Sequence, residues 1–234
     1  MVMTYHNEVK ATNIALRKVM RTNDCDVFIA RDALPIDIDH FKGMPVTYLS
    51  QMSCMKEIYE QITLKKEISN LSSLQLQSIL MCNIRRMGEA AAMSKTDYIF
   101  YMEPDVLVRR RIKPETKFAM ECLDVNKYPT ELIEFIESFS KRKFGVNGWG
   151  YCAGFASVVG FKTVSSWAES NQSLLLKLVE LDHRFVFADF AFPILFHLVG
   201  FEVGKTKQIV ECNRNPFWWI SSKPVVHQYR RNYS

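Results

Sequence analysis

The segment Asp97-Tyr98-Ile99-Phe100-Tyr101-Met102-Glu103-Pro104-Asp105-Val106-Leu107-Val108 constrains the fold of this chain more than any other. Its first half is an unbroken apolar and aromatic run, too short for a buried helix. Such a run reads as a central strand covered on both faces. Pro104 has no N–H to give a sheet and fixes its own φ, so the strand breaks there. Glu103 and Asp105 then stand at the strand's C-terminal end, where open α/β sheets form their ligand crevice. Two carboxylates flanking a proline on a stiff turn suit a hard divalent cation, which takes oxygen ligands.

The rest of the chain can be arranged around that strand. Residues 1–5 form a short apolar strand, and a helix follows over 8–21 with Val9, Leu16, Val19 and Met20 on one face and Asn7 as its N-cap. Residues 26–30 form a second strand that ends at Arg31-Asp32. Strand, helix and strand in so few residues predict a βαβ unit with parallel pairing and a right-handed crossover. Residues 33–44 read as a loop and 45–49 as a strand. A helix over 73–94 carries Leu76, Ile79, Leu80, Ile84, Met87 and Ala91 on one face. Beyond the central strand the pattern predicts irregular chain from Lys113, a polar helix over 130–140, a strand over 155–161, a helix over 164–181 and an apolar helix over 190–199 opened by Asp189. The glycines of Gly145-Val146-Asn147-Gly148-Trp149-Gly150-Tyr151-Cys152-Ala153-Gly154 either let backbone approach a ligand or form a plain connection. With no repeats and no low-complexity linker, the expectation is one α/β domain over 1–234, with a mostly parallel central sheet flanked by helices.

Composition bounds the function classes. Hydrophobic residues make up 48% of the 234, enough for a substantial core. No apolar run approaches the length of a transmembrane helix, and residues 1–20 lack the basic-then-apolar pattern of a signal peptide. The six cysteines (25, 54, 82, 122, 152, 212) show neither CxxC nor zinc spacing, which predicts six reduced thiols in a cytoplasmic setting. Sequons at Asn70, Asn171 and Asn232 carry little weight on that view. The formal net charge is +5, with basic clusters at 109–111, 141–143 and 230–231. Solvated faces, anionic lipid and a phosphorylated ligand all remain open as explanations. No helix-turn-helix, zinc finger or RNP-like strand is present, so no nucleic-acid partner is expected.

Taken in order, Thr4-Tyr5 after the first strand, Asp32 after the second, Glu103-Pro104-Asp105 after the central one and Asp189 at a late helix resemble the GT-A glycosyltransferases of the family 2 type. These enzymes move a sugar from a nucleotide diphosphate to an acceptor hydroxyl. The resemblance implies a nucleotide-binding half over 1–108 and an acceptor-binding half over 109–234. It places Thr4, Tyr5 and Asp32 at the nucleotide and Glu103-Pro104-Asp105 at the family's Asp-x-Asp element. Asp105 is then the direct ligand of Mn²⁺ (or Mg²⁺), and Glu103, a departure from Asp, a helper at metal or ribose. Val225-Val226-His227 resembles the C-terminal segment whose His completes the metal site in several such enzymes; an ordinary hydrogen-bonded His is the alternative. Arg230 and Arg231 are candidates to lie over the diphosphate, with Arg85 and Arg86 as alternatives. Asp189 resembles the general base of inverting members, although Asp is also a preferred helix cap. Trp149, Tyr151, Trp218 and Trp219 would either stack on acceptor sugars or pack in the core.

The implied activity is metal-dependent transfer from a nucleotide sugar, with UDP-sugar as the expected donor, to a glycan, glycoconjugate or other hydroxyl acceptor. Sugar-nucleotide pyrophosphorylases have a related sheet but need an N-terminal glycine-rich loop, and residues 1–20 contain no glycine. Two other readings stay open. One is a non-catalytic nucleotide-sugar-binding domain of the same fold. The other is a membrane-surface protein that uses its basic clusters, a peripheral contact that an enzyme could also make.

Overall fold

A computed structural model describes residues 2–5, 9–31, 41–50, 71–103, 106–150, 153–211 and 222–227. Helix α1 (Val9–Thr22) buries Ala11, Thr12, Ala15, Leu16 and Val19, a spacing that turns one stripe to the sheet. It connects β1 (Val2–Tyr5) to β2 (Val27–Arg31), which pair in parallel from Val2 opposite Phe28 to Tyr5 opposite Arg31. The expected βαβ unit is therefore present. β3 (Val46–Tyr48) extends the sheet in parallel beyond β2.

Helix α2 (Ser73–Met93) begins in a capping box: the Gln75 N–H donates to Ser72 Oγ at 3.3 Å, and the Ser72 N–H donates to Gln75 Oε1 at 2.9 Å. It delivers the chain into β4 (Tyr98–Met102), which lies parallel to β1 on the side away from β2. Short strands β5 (Leu107–Val108), β6 (Met120–Cys122) and β7 (Asn126–Lys127) precede α3 (Thr130–Ser140), and β8 (Gly148–Trp149) and β9 (Ala153–Ser157) follow it. Then come α4 (Val158–Ser170), α5 (Gln172–Leu181), a 3-10 turn (His183–Val186), α6 (Ala188–Leu198), and strands β10 (Val203–Lys205), β11 (Ile209–Glu211) and β12 (Val225–His227).

The main sheet has the order β10-β6-β9-β4-β1-β2-β3. It is mixed: β9 runs antiparallel to both β4 and β6, while the pairings β10–β6, β4–β1, β1–β2 and β2–β3 are parallel. β9 ends where β4 begins, the Val158 N–H donates to the Asp97 carbonyl at 2.9 Å, and the chain turns directly into α4. A second, mixed sheet has the order β11-β12-β5, and β7 pairs with β8.

One face of the main sheet carries α2, α4 and α6 over a core in which Phe161 meets Phe192 and Phe196 edge-on, each at 5.2 Å. On the other face α1 covers the stacked pair Phe100 and Phe155, 4.7 Å apart. The result is a three-layer α/β arrangement. Helix α6 is buried almost all round, as its uniformly apolar sequence requires.

Three sequence expectations need correction here. The strand placed over 155–161 stops at Ser157, whose hydroxyl accepts the Gly160 N–H at 3.0 Å and so caps α4. The helix placed over 164–181 is two helices, broken at Asn171, whose amide donates to the Trp167 carbonyl at 2.8 Å. Cys82 is disulfide-bonded, which overturns the expectation of six free thiols; Cys25 and Cys122 are free. A disulfide needs two thiols close in space, and spacing along the chain carries no such information.

Candidate active site

Parallel strands β2, β1 and β4 carry Arg31, Tyr5 and Met102 to the same edge of the sheet. The strand order reverses between β1 and β4, since β2 and β3 lie on one side and β4 on the other. That reversal opens a crevice beyond the strand ends, the usual ligand position in open α/β sheets. Thr4 and Tyr5 stand on one side of it and half-buried Glu103 on the other. Asp32 follows β2 directly and lies outside the described residues.

The strand breaks where Pro104 predicts. β4 ends at Met102, and the Val106 N–H donates to the Glu103 carbonyl at 3.1 Å, the spacing of a β-turn bond with proline second. Beyond the turn the chain leaves the main sheet and β5 pairs antiparallel with β12, Leu107 opposite Val226 and Val108 opposite Val225. Continuing that register by one residue sets His227 opposite Val106, next to Asp105. Two segments about 120 residues apart are thereby brought to one corner. Arg109 fastens the pairing: its N–H donates to the Pro224 carbonyl at 2.8 Å and its guanidinium to the Lys223 carbonyl at 3.3 Å. Arg110 adds a bond to the Ser222 carbonyl at 3.4 Å. Asp105 itself and Arg230, Tyr151 and Trp218 lie outside the described residues, and His227 is located by its backbone.

Asp189 is buried in the first turn of α6 and does not hold the N-cap position, the alternative to the general-base role. Phe187 holds the cap position and makes no side-chain cap bond. A carboxylate here meets the positive end of the helix dipole. Pro193 has no N–H, so the helical bond from that position to the Asp189 carbonyl is missing. Next to Asp189 lies Tyr128, which the sequence reading missed. Its hydroxyl donates to the Phe190 carbonyl at 3.0 Å, and burial, then the Cys122 and Asp189 charges, hold its phenol well above the usual range. Tyr128 therefore keeps its proton and braces the turn that carries Asp189. Its signal in the sequence is weak, because nothing in residues 123–129 ties it to position 190.

Trp149 is buried and edge-on to Phe190 at 5.3 Å, with Phe190 itself edge-on to Tyr128 at 5.0 Å. Its ring is part of the core, the alternative to acceptor stacking that the sequence left open. The neighbouring glycines serve internal packing as well. A side-chain carbon at Gly145 would overlap the Val203 carbonyl, at Gly148 the Asn126 carbonyl, and at Gly150 the Leu123 side chain.

Several basic residues also have structural duties. Arg85 makes a two-pronged ion pair with Glu169, at 2.7 and 3.1 Å. Arg86 is buried, 3% exposed, on the inner face of α2. Arg142 donates to the His197 and Phe201 carbonyls at the C-terminal end of α6, at 3.5 and 3.4 Å. Among the described residues no three His, Cys, Asp or Glu side chains converge as a metal cluster. The expected donor set includes Asp105 and the His227 side chain. Two carboxylates and an imidazole fit Mn²⁺ by donor type, and the β5–β12 register brings the backbone of His227 opposite the segment that follows Glu103-Pro104-Asp105.

No protein-family model matches the chain, and no curated protein matches it significantly in sequence. Among solved structures, an active-site mutant of LgtC superposes with a TM-score of 0.53 at 11% identity, covering 98% of this chain and 87% of that one. The glycosyltransferase GlyE of Streptococcus pneumoniae TIGR4 matches with a TM-score of 0.47 at 11% identity, over 99% of this chain and 54% of GlyE. The chain thus shares the fold of LgtC. No described helix is long and apolar enough to cross a membrane.

Proposed function

We propose that the chain is a GT-A glycosyltransferase that moves a sugar from a nucleotide diphosphate, UDP-sugar first among candidates, to a hydroxyl of a glycan or glycoconjugate. The observation that carries this reading is the β5–β12 pairing, which joins the corner after Glu103-Pro104-Asp105 to the strand ending in His227. The shared fold with LgtC supports the same reading.

In this mechanism Thr4, Tyr5 and the residue after β2, Asp32, hold the nucleotide at the crevice between β1 and β4. Glu103, Asp105 and His227 would hold Mn²⁺ or Mg²⁺, which would supply positive charge to offset the negative charge gathering on the leaving diphosphate. Arg230 lies over the diphosphate as a further cation; Arg86, buried in α2, is the weaker candidate for that duty. The acceptor oxygen attacks the anomeric carbon, the bond from that carbon to the diphosphate oxygen breaks, and the electron pair leaves with the nucleotide. Asp189 takes the hydroxyl proton, which makes the transfer inverting. Its burial in the first turn of α6, at the positive end of the helix dipole, is what supports the base role. Tyr151 and Trp218 face the acceptor in this scheme.

The test is a screen of nucleotide sugars for Mn²⁺-dependent release of the nucleotide, run beside Asp105→Ala. Release by the parent and none by the variant supports the transferase. Binding without turnover in both proteins would leave the non-catalytic binding domain as the better description.

A further inference from the structure

The sequon Asn171-Gln172-Ser173 lies in the break between α4 and α5, where Asn171 is half-exposed and Gln172 and Ser173 are exposed. It is the sequon whose three residues are all described, and exposed sequons are the acceptors of N-linked glycans in secretory proteins. Two further observations point to that modification. A groove of about 510 Å³, lined by Lys162, Thr163, Ser166, Trp167, Ser170 and Asn171, runs back along α4 from the sequon. Its aromatic wall, Trp167, is half-buried and packs on the core, so the ring is held in place beside Asn171. The Cys82 disulfide is the second observation, because disulfides persist in oxidising compartments, where N-glycosylation also occurs.

We propose that Asn171 carries an N-linked glycan whose first sugar lies along the Trp167 groove. This proposal is independent of the transferase reading. The donor is a lipid-diphosphate-linked oligosaccharide. Asn171 Nδ2 bonds to its anomeric carbon, the bond to the diphosphate breaks, and the electron pair leaves with the lipid diphosphate. Nδ2 gives up one proton and keeps the other. That remaining N–H still donates to the Trp167 carbonyl, 2.8 Å away, so the helix break survives the modification. The apolar face of the sugar then covers the Trp167 ring.

The deciding sample is protein isolated from the cells that make it, digested and analysed by mass spectrometry around Asn171 with and without peptide-N-glycosidase. A glycan on that peptide is the expected result, and a bare Asn171 overturns the proposal. In a eukaryotic secretory host, Ser173→Ala should lose one glycan while keeping the Asn171–Trp167 bond, and an unchanged glycan count would also overturn it. Trp167→Ala should keep the glycan but release it from the native protein several-fold faster; an unchanged rate removes the groove from the proposal.

Discussion

Leu107 pairs with Val226 across two antiparallel strands, and this register brings the residue after Asp105 opposite His227. If the corner holds the metal, its two carboxylates should not be equivalent. Asp105→Asn is expected to abolish Mn²⁺-dependent nucleotide release, whereas Glu103→Asp should keep much of it. His227→Ala should weaken activation by Mn²⁺ by at least about 10-fold, given how strongly ligand-shell changes alter metal affinity. Titrating Mn²⁺ against nucleotide release measures all three. Full activity in Asp105→Asn would remove this corner from the mechanism.

Asp189→Asn preserves the shape of the side chain and removes its basicity. Loss of a general base costs about 10²–10⁴ in rate, so kcat should fall by that order with little change in KM for the donor. Equal kcat would return Asp189 to a structural role and make a retaining mechanism the better reading.

Gly160 tests the packing between α4 and α6. Alanine in a helix is favoured over glycine by about 1 kcal/mol, but a side-chain carbon at Gly160 would overlap the Phe196 ring, itself fully buried. Overpacking of this kind costs about 1–3 kcal/mol. The clash should win, and Gly160→Ala should unfold at lower denaturant concentration than the parent. A stabilised variant would mean that α6 yields easily.

His197 makes stability depend on pH. It is buried, with Ser140 Oγ 2.8 Å from its Nε2, and burial, followed by the Arg142 charge, lowers its pKa, while a hydrogen bond to the Arg142 backbone and then the Glu137 charge oppose. The unfolded imidazole titrates near about 6.5. A depressed folded value means that the unfolded state binds the proton first. The contribution to stability is thus complete above the unfolded pKa and is lost as pH falls from there through the folded one. The slope cannot exceed about 1.4 kcal/mol per pH unit for one group. Denaturant midpoints measured across this window should fall for the parent and change less for His197→Gln.

Cys82 sits fully buried on α2. Reducing its disulfide should lower stability by about 2–4 kcal/mol, read as a drop in thermal midpoint in the presence of reductant. Alkylation of the folded, unreduced protein should label Cys25 and spare Cys82 and buried Cys122, whose thiol is pushed far up by burial.

Local patterns were readable wherever one residue's chemistry settled the outcome. Pro104 ended β4, the stripe holding Leu16 and Val19 formed α1, and 130–140 became a helix over its expected length. They failed where a partner distant in the chain decided. Trp149 is an interior residue because Phe190 meets it, and the glycines beside it are small because Val203, Asn126 and Leu123 press on them. Neither fact is written in residues 145–154.

What the sequence determined by itself is the β1-α1-β2 unit, the long helix α2 and the acidic break after β4, since proline, β-branched runs and helical periodicity act over a few residues. Only the tertiary structure decided that the strand ending in His227 returns to that break, that β9 runs against its neighbours, and that Cys82 is bridged. Those outcomes depend on which surfaces must be buried together, a condition that the whole core meets at once and no single segment encodes.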